Sequence, residues 1–182
     1  RIAALVLERK PVGNWLKLQF TLARWLALDN VRKTIGIHRA RFLVTGAAPI
    51  SPELVKWYLA LGVPMGEVWG LTETCGASTY TPPERVKPGM IGPACPYNEV
   101  KIDPATGEIL VRGKNVFMGY LNLPEKTAET IDADGWVHTG DVGLVDADGY
   151  FKLTDRMKDI IITAGGKNIT PSELENDLKF SP

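Results

Sequence analysis

The chain has 182 residues, 45% apolar and 23% charged, with 21 basic against 21 acidic side chains. That suits one large globular domain or one and a fraction, and zero net charge removes the bulk basic field that a nucleic-acid binder carries. Only two cysteines, Cys75 and Cys95, and two histidines, His38 and His138, are present, none at zinc-ligand spacing, which argues against a structural zinc site and fits a reduced, cytoplasmic setting.

The opening run, "RIAALVLERK", is too short to span a bilayer, is flanked by charge, and has no secretory pattern. It lacks an initiator Met, and the far end, "ELENDLKFSP", stops straight after a helical pattern, so a piece of a longer protein is expected. Residues 14–35 read as a helix: Trp15, Leu18, Leu22, Trp25 and Leu26 recur at steps of three and four, with Lys17 and Arg24 off the stripe. An interfacial membrane helix would carry a similar stripe, so peripheral membrane contact is one expectation. The thin cationic face favours core packing instead.

Residues 41–45, "RFLVT", read as a short buried strand, followed by the small-residue turn Gly46-Ala47-Ala48-Pro49. Ser51 is placed to cap a helix with Pro52 at its first position, running to about Leu61. After Gly62, "VPMGEVWG" returns as a strand, which makes a βαβ unit and a parallel sheet. From about residue 82 the pattern changes to short alternating runs, "YNEVKID", "GEILVRG", "WVHTGDVGLVD" and "GYFKLTDR", with a hairpin signal at Asp146-Ala147-Asp148-Gly149 and a helical piece near 124–131. A small, curved antiparallel sheet or barrel is expected there. An apolar strand, Ile160–Thr163, then breaks at Gly165-Gly166, and Thr170-Pro171-Ser172-Glu173 fits a capping box.

Three clusters carry candidate chemistry. In "WGLTETCG", residues 69–76, the end of a parallel strand opens a loop where ligand crevices form. Thr72 and Thr74 offer hydroxyls to phosphate oxygens, Glu73 suits a hard cation between itself and a phosphate, and Trp69 offers a flat face for a base. A polar loop with a capping Thr would look the same. In "DGWVHTGDVG", residues 134–143, Asp141 among glycines suits the paired hydroxyls of a ribose, or else a plain β-turn. His138 could serve as a general base, but it lacks an evident orienting partner there and reads rather as structural. In "TDRMKDIIITAGGKN", Arg156 and Lys158 alternate with Met157, so an extended chain would set both cations on one face, toward a polyphosphate or simply toward solvent on an edge strand. Gly165-Gly166-Lys167 lacks P-loop spacing.

In this order, "GAAPIS", "WGLTET", "GEILVRGKNVFMGY", "DGWVHTGDVG" and "LTDRMKDIIITAGGKNITPSELE" resemble the adenylate-forming superfamily of acyl-CoA synthetases, luciferases and adenylation domains, from about Arg41 onward. "FMGYLN" and "IITAGGKNITP" are most similar to long-chain fatty acyl-CoA synthetases of the bacterial and bubblegum-related type. The resemblance implies an α/β fold: residues 1–96 as the distal part of a parallel nucleotide-binding subdomain, 97–157 as an antiparallel barrel-like subdomain, and 158–182 as the start of a small α+β C-terminal domain. It implies that Gly46, Ala47, Ala48 and Pro49 line an adenine pocket and that Glu67 accepts from the adenine amino group. Trp69, beside Gly70, stands where the family usually stacks a tyrosine on adenine. Thr72 would hold the α-phosphate and Glu73 would ligate Mg²⁺. Asp141 would bind the ribose hydroxyls, Arg156 the ribose or phosphate, and Lys158 would be a domain hinge. Gly165 and Gly166 would lie near the pantetheine passage, and His138 gains no role.

The implied reaction joins a fatty acid to CoA at the expense of ATP, through an acyl-AMP. The family's Ser/Thr/Gly-rich phosphate loop and its late C-terminal lysine have no counterpart in the chain, so this piece alone is expected to be inactive. Other acid-activating ligases of the superfamily, acting on aryl acids or carrier proteins, and a non-catalytic nucleotide-binding module are the alternatives.

Overall fold

The computed structural model describes residues 2–162 together with residues 168, 169, 171, 174, 175 and 178. Helix α1 (Ile2–Leu7) and helix α2 (Asn14–Ala23) lead through a π-helical turn, Arg24–Leu28, into α3 (Asp29–Thr34). Strand β1 (Leu43–Thr45), helix α4 (Pro52–Ala60) and strand β2 (Met65–Leu71) then form the expected parallel unit, with Leu43 opposite Met65 and Thr45 opposite Glu67. The start of α4 is set by Ser51, whose hydroxyl accepts from the Glu53 N–H at 3.3 Å, with Pro52 contributing a helix-ready φ. Its end is set by Gly62, whose φ of +78° turns the chain out while the Val63 N–H closes on the Tyr58 carbonyl.

β2 does not simply open into a loop. A 3₁₀ turn, Thr72–Thr74, folds the chain back into β3 (Gly76–Tyr80), antiparallel to β2, with a register slip between Trp69 and Gly70. Nothing in the apolar pattern announces β3, because its inward positions are small hydroxyl residues. Ser78, Thr79 and Thr81 are essentially inaccessible, and the Thr79 hydroxyl donates to the Ile91 carbonyl at 2.6 Å. A buried hydroxyl bonded in this way costs little.

The second half is a curled antiparallel meander of β4 (Asn98–Ile102), β5 (Glu108–Gly113), β6 (Val137–Val145) and β7 (Phe151–Arg156), in spatial order β4-β5-β6-β7. Helix α5 (Pro124–Thr130) sits on the β5–β6 connection. The β6–β7 turn forms at the foreseen place: the Asp146 carboxylate accepts from the backbone of Asp148 and Tyr150, both at 2.9 Å. Two residues of β8 (Ile161–Ile162) pair with β9 (Asn168–Ile169). Thr163, Gly165, Gly166, Lys167 and the capping-box residues Thr170, Ser172 and Glu173 lie outside the described residues.

One apolar cluster joins the two sheets: Trp69 of β2 with Ile91, Ile109, Val111 and Phe151. The Ile91 N–H donates to the Phe151 carbonyl, and the Phe151 N–H to that of Gly92, stitching the linker between the sheets onto β7.

Two expectations about burial do not hold. β1 is not a buried strand; Val44 is 55% exposed at the open edge of its sheet. The α2 stripe is not in the core either: Trp15 is 70% and Trp25 74% exposed. The helix meets the rest of the chain through another side, where Phe20 approaches Gly62, so the Trp15–Leu22 face turns outward. Among the described residues no helix is long and apolar enough to cross a membrane.

Candidate active site

The 3₁₀ turn after β2 is locked from within by Thr74. Its hydroxyl oxygen accepts from the Leu71 N–H at 3.0 Å and lies 3.2 and 3.1 Å from the Leu71 and Gly76 carbonyls, and the residue is 1% exposed. Thr74 is therefore no phosphate donor, contrary to the first expectation. Cys75 closes the turn in the left-handed region, at φ +52°. What the turn presents outward is Thr72, exposed, and Glu73, half-buried.

Both face a cleft of about 640 Å³ between the end of β2 and the start of β6. Gly70, Ala47, Tyr120, His138 and Arg156 share its walls. Ala47 reaches it because the small-residue turn after β1 lies flat on β2: a Cβ on Gly46 would come within 2.9 Å of the Val68 carbonyl oxygen. Gly46, Ala48 and Pro49 are exposed beside it.

Glu67 and Trp69 sit elsewhere. On an extended strand they share a face, and that face points into the protein while Gly70 looks into the cleft. Trp69, 7% exposed, packs in the core cluster, so its ring is not the open stacking surface expected of it. Glu67, 9% exposed, accepts the Gly89 N–H at 3.0 Å and is absent from the cleft wall. Burial, only partly offset by that N–H, pushes its carboxyl up to about 7. The folded state thus holds this proton more tightly than the unfolded chain does. The associated stability is complete below the ordinary carboxyl range and is lost as pH rises through about 7. Glu67→Gln should therefore raise the urea-unfolding free energy by roughly 1–3 kcal/mol near pH 8 and by little near pH 5. An equal gain at both pH values would refute the buried titration.

Trp69 instead serves Asp141. Its indole N–H donates to Asp141 Oδ2 at 2.8 Å, and the Arg156 guanidinium Nε lies 2.9 Å from Oδ1. Asp141 is 2% exposed, so the open carboxylate expected for a ribose is covered here. The cover is asymmetric, however. Arg156 pairs with Oδ1 by charge, but among the described residues no aligned hydrogen bond reaches that buried oxygen. Burial raises the Asp141 carboxyl above its ordinary value, opposed by the Trp69 bond and the Arg156 charge. Arg156 ends β7 at the cleft, 52% exposed in its side chain, on an arm able to swing off Oδ1. Lys158 does not share its face: the chain turns at Met157, with the Asp159 N–H bonded to the Arg156 carbonyl at 3.0 Å, and Lys158 stands exposed past the end of β7.

One group on the cleft, Tyr120, went unseen in the sequence, and a second, His138, reads there as structural. Tyr120 donates its phenol hydrogen to Glu73 Oε1 at 2.6 Å. His138 has an orienting partner after all: Nδ1 lies 3.0 Å from Glu108 Oε2, and the other Glu108 oxygen accepts the Gly140 N–H at 2.7 Å. These partners come from β5 or the β5–α5 loop, 30 and 47 residues away, and only strand pairing brings them near.

Among the described residues no three His, Cys, Asp or Glu side chains gather to hold a metal by themselves. A single carboxylate beside a cavity is the donor set of an Mg²⁺ that arrives with phosphate oxygens and water, so Glu73 fits that ion.

The AMP-binding enzyme family matches residues 17–121. The chain belongs to that family. It is 43% identical over 166 residues to the long-chain-fatty-acid–CoA ligase ACSBG2 of Gallus gallus, covering 89% of this chain and 22% of the relative. Among solved structures it resembles ATP-bound MatB from Rhodopseudomonas palustris, with a TM-score of 0.69 and 37% identity over 78% of this chain and 30% of that one. It also resembles O-succinylbenzoate coenzyme A synthetase from Bacillus subtilis in complex with ATP and magnesium, with a TM-score of 0.69 and 27% identity over 84% and 39%. The chain thus spans less than a third of that curated relative's length. Its mixed α/β fold is that of an AMP-binding enzyme.

Proposed function

We propose that this AMP-binding segment belongs to a longer ligase that activates a long-chain fatty acid with ATP and passes the acyl group to CoA. The observation that carries the proposal is the cleft, where Thr72, Glu73 and Arg156 meet beside the donor-poor Oδ1 of Asp141. The ATP-bearing structural neighbours and the fatty-acid ligase among the relatives support it.

Four positions have direct work in this scheme. The Thr72 hydroxyl donates to an α-phosphate oxygen. Arg156 leaves Asp141 for the ribose or phosphate, and the freed Oδ1 accepts a ribose hydroxyl. Glu73 would hold Mg²⁺, which when bound supplies charge neutralisation at the phosphates. Attack of the fatty carboxylate on the α-phosphorus yields acyl-AMP and pyrophosphate, and the CoA thiol then displaces AMP. The protein's part is orientation and charge, not covalent chemistry. Ala47 and its exposed neighbours Gly46, Ala48 and Pro49 form the adenine side of the cleft. Lys158, just past β7, is the hinge to a C-terminal domain that begins in residues 158–182, after subdomains 1–96 and 97–157. The two free cysteines support a reducing, cytoplasmic location. The open α2 stripe supports peripheral membrane contact, which liposome co-sedimentation checks.

ATP–pyrophosphate exchange by the full-length protein, scanned over acid chain length, tests the substrate. Exchange is expected to peak with long-chain fatty acids. A maximum with aryl acids would reassign the ligase, and no exchange with any acid would leave only a nucleotide-binding module.

A further inference from the structure

We propose that Tyr120 is a positioning residue for Glu73, and that residues 113–120 are a strap holding the Thr72–Thr74 turn at the cleft. The proposal rests on the ligase reading for what Glu73 does, but its geometry stands separately. Three bonds tie the strap to the turn. The Asn115 side-chain amide donates to the Thr74 carbonyl at 3.0 Å, the Phe117 N–H to the Glu73 carbonyl at 2.8 Å, and the Tyr120 hydroxyl to Glu73 Oε1 at 2.6 Å. Backbone and side chain of the same acidic residue are thus held from one segment, and that segment hangs from β5 of the other sheet.

The phenol is itself held. Its backbone N–H donates to Thr127 Oγ1 at 2.9 Å, the Phe117 ring packs edge-on at 4.9 Å, and Lys126 Nζ stands 5.0 Å from the ring centre. Gly119, at φ +137°, lets the chain pass Thr127, where a Cβ would fall 2.6 Å from the threonine methyl. A tyrosine hydroxyl carries its proton at neutral pH, so Tyr120 is a donor there.

The chemistry of the donor matters. An arginine or lysine in this place would orient the carboxylate but cancel the charge a cation needs. A neutral phenol takes Oε1 and leaves the negative charge intact. Glu73 Oε2 makes no hydrogen bond among the described residues, so it is the oxygen left for a ligand. Groups that hold a metal-binding carboxylate this way typically change metal affinity about 10–100-fold when removed.

The test is Mn²⁺ binding in the presence of ATP, followed by electron paramagnetic resonance on the full-length protein, for the parent, Tyr120→Phe, Glu73→Gln and the double variant. Tyr120→Phe keeps the ring and is expected to weaken Mn²⁺ binding about tenfold. In the Glu73→Gln background the same change is expected to do nothing further, because Tyr120 acts through Glu73. Equal affinity in parent and Tyr120→Phe, or a further loss in the double variant, would overturn the proposal. A parent that binds no Mn²⁺ with ATP would overturn the ligase reading itself.

Discussion

Glu73→Gln in the full-length protein is expected to lower ATP–pyrophosphate exchange by about 100- to 1000-fold, the usual cost of losing one group that stabilises transition-state charge. The substitution is nearly isosteric. The Gln amide oxygen can still accept the Tyr120 hydroxyl now bonded at 2.6 Å, and the backbone bond from Phe117 is untouched. Folding stability should therefore move by less than about 1 kcal/mol. What is lost is one negative charge in a cleft whose other walls contribute the Thr72 hydroxyl, the Tyr120 phenol, the His138 ring and the Arg156 cation. No neighbouring acid stands ready to replace it: among the described residues no cluster of three potential ligands exists. Raising Mg²⁺ should recover part of the rate if the defect is metal capture. Unchanged exchange at ordinary Mg²⁺ would remove the metal-ligand role from Glu73 and leave the cleft without an anchor for the cation.

How much of this was readable in advance depends on the range of each interaction. Ser51-Pro52 and Gly62 bound α4 through bonds within a few residues, and Asp146–Gly149 closes its hairpin in the same way, so both were legible. β3 was not, because burial there falls on Ser78 and Thr79, small hydroxyl residues rather than apolar ones, with the Thr79 hydroxyl bonded to the Ile91 carbonyl. The motif around Thr72 and Glu73 located the cleft, but strand alternation decided its walls: Gly70 faces it while Glu67 and Trp69 face inward. The pairings Trp69–Asp141, His138–Glu108 and Tyr120–Glu73 span 72, 30 and 47 positions. No local pattern encodes them. The α2 stripe was read correctly as apolar and incorrectly as buried, since periodicity reports which face is hydrophobic and not what lies against it.

Gly70→Ala is expected to be the most damaging glycine-to-alanine change among the described residues. A Cβ there would lie 1.7 Å from the Gly76 carbonyl oxygen and 2.9 Å from the Ser78 nitrogen, both backbone atoms of the paired strand. No rotamer relieves such a contact. The β2–β3 pairing must spread at the slip between Trp69 and Gly70, which breaks ladder bonds and disturbs the packing of Trp69. A cost of about 3 kcal/mol or more follows, at the upper end for a small overpacked side chain. Gly13→Ala is the matched control: nothing lies within 4 Å of its Cβ position and its φ is −64°, so a change within about 0.5 kcal/mol is expected. Urea unfolding of the two variants, followed by tryptophan fluorescence, should separate them widely. Should Gly70→Ala unfold with Gly13→Ala, the close approach of β3 to β2 would be wrong, and with it the route by which the chain brings Thr72 and Glu73 to the cleft. Where the variant folds at all, pyrophosphate exchange should fall further than stability, because the turn that carries both groups begins two residues after the strained contact.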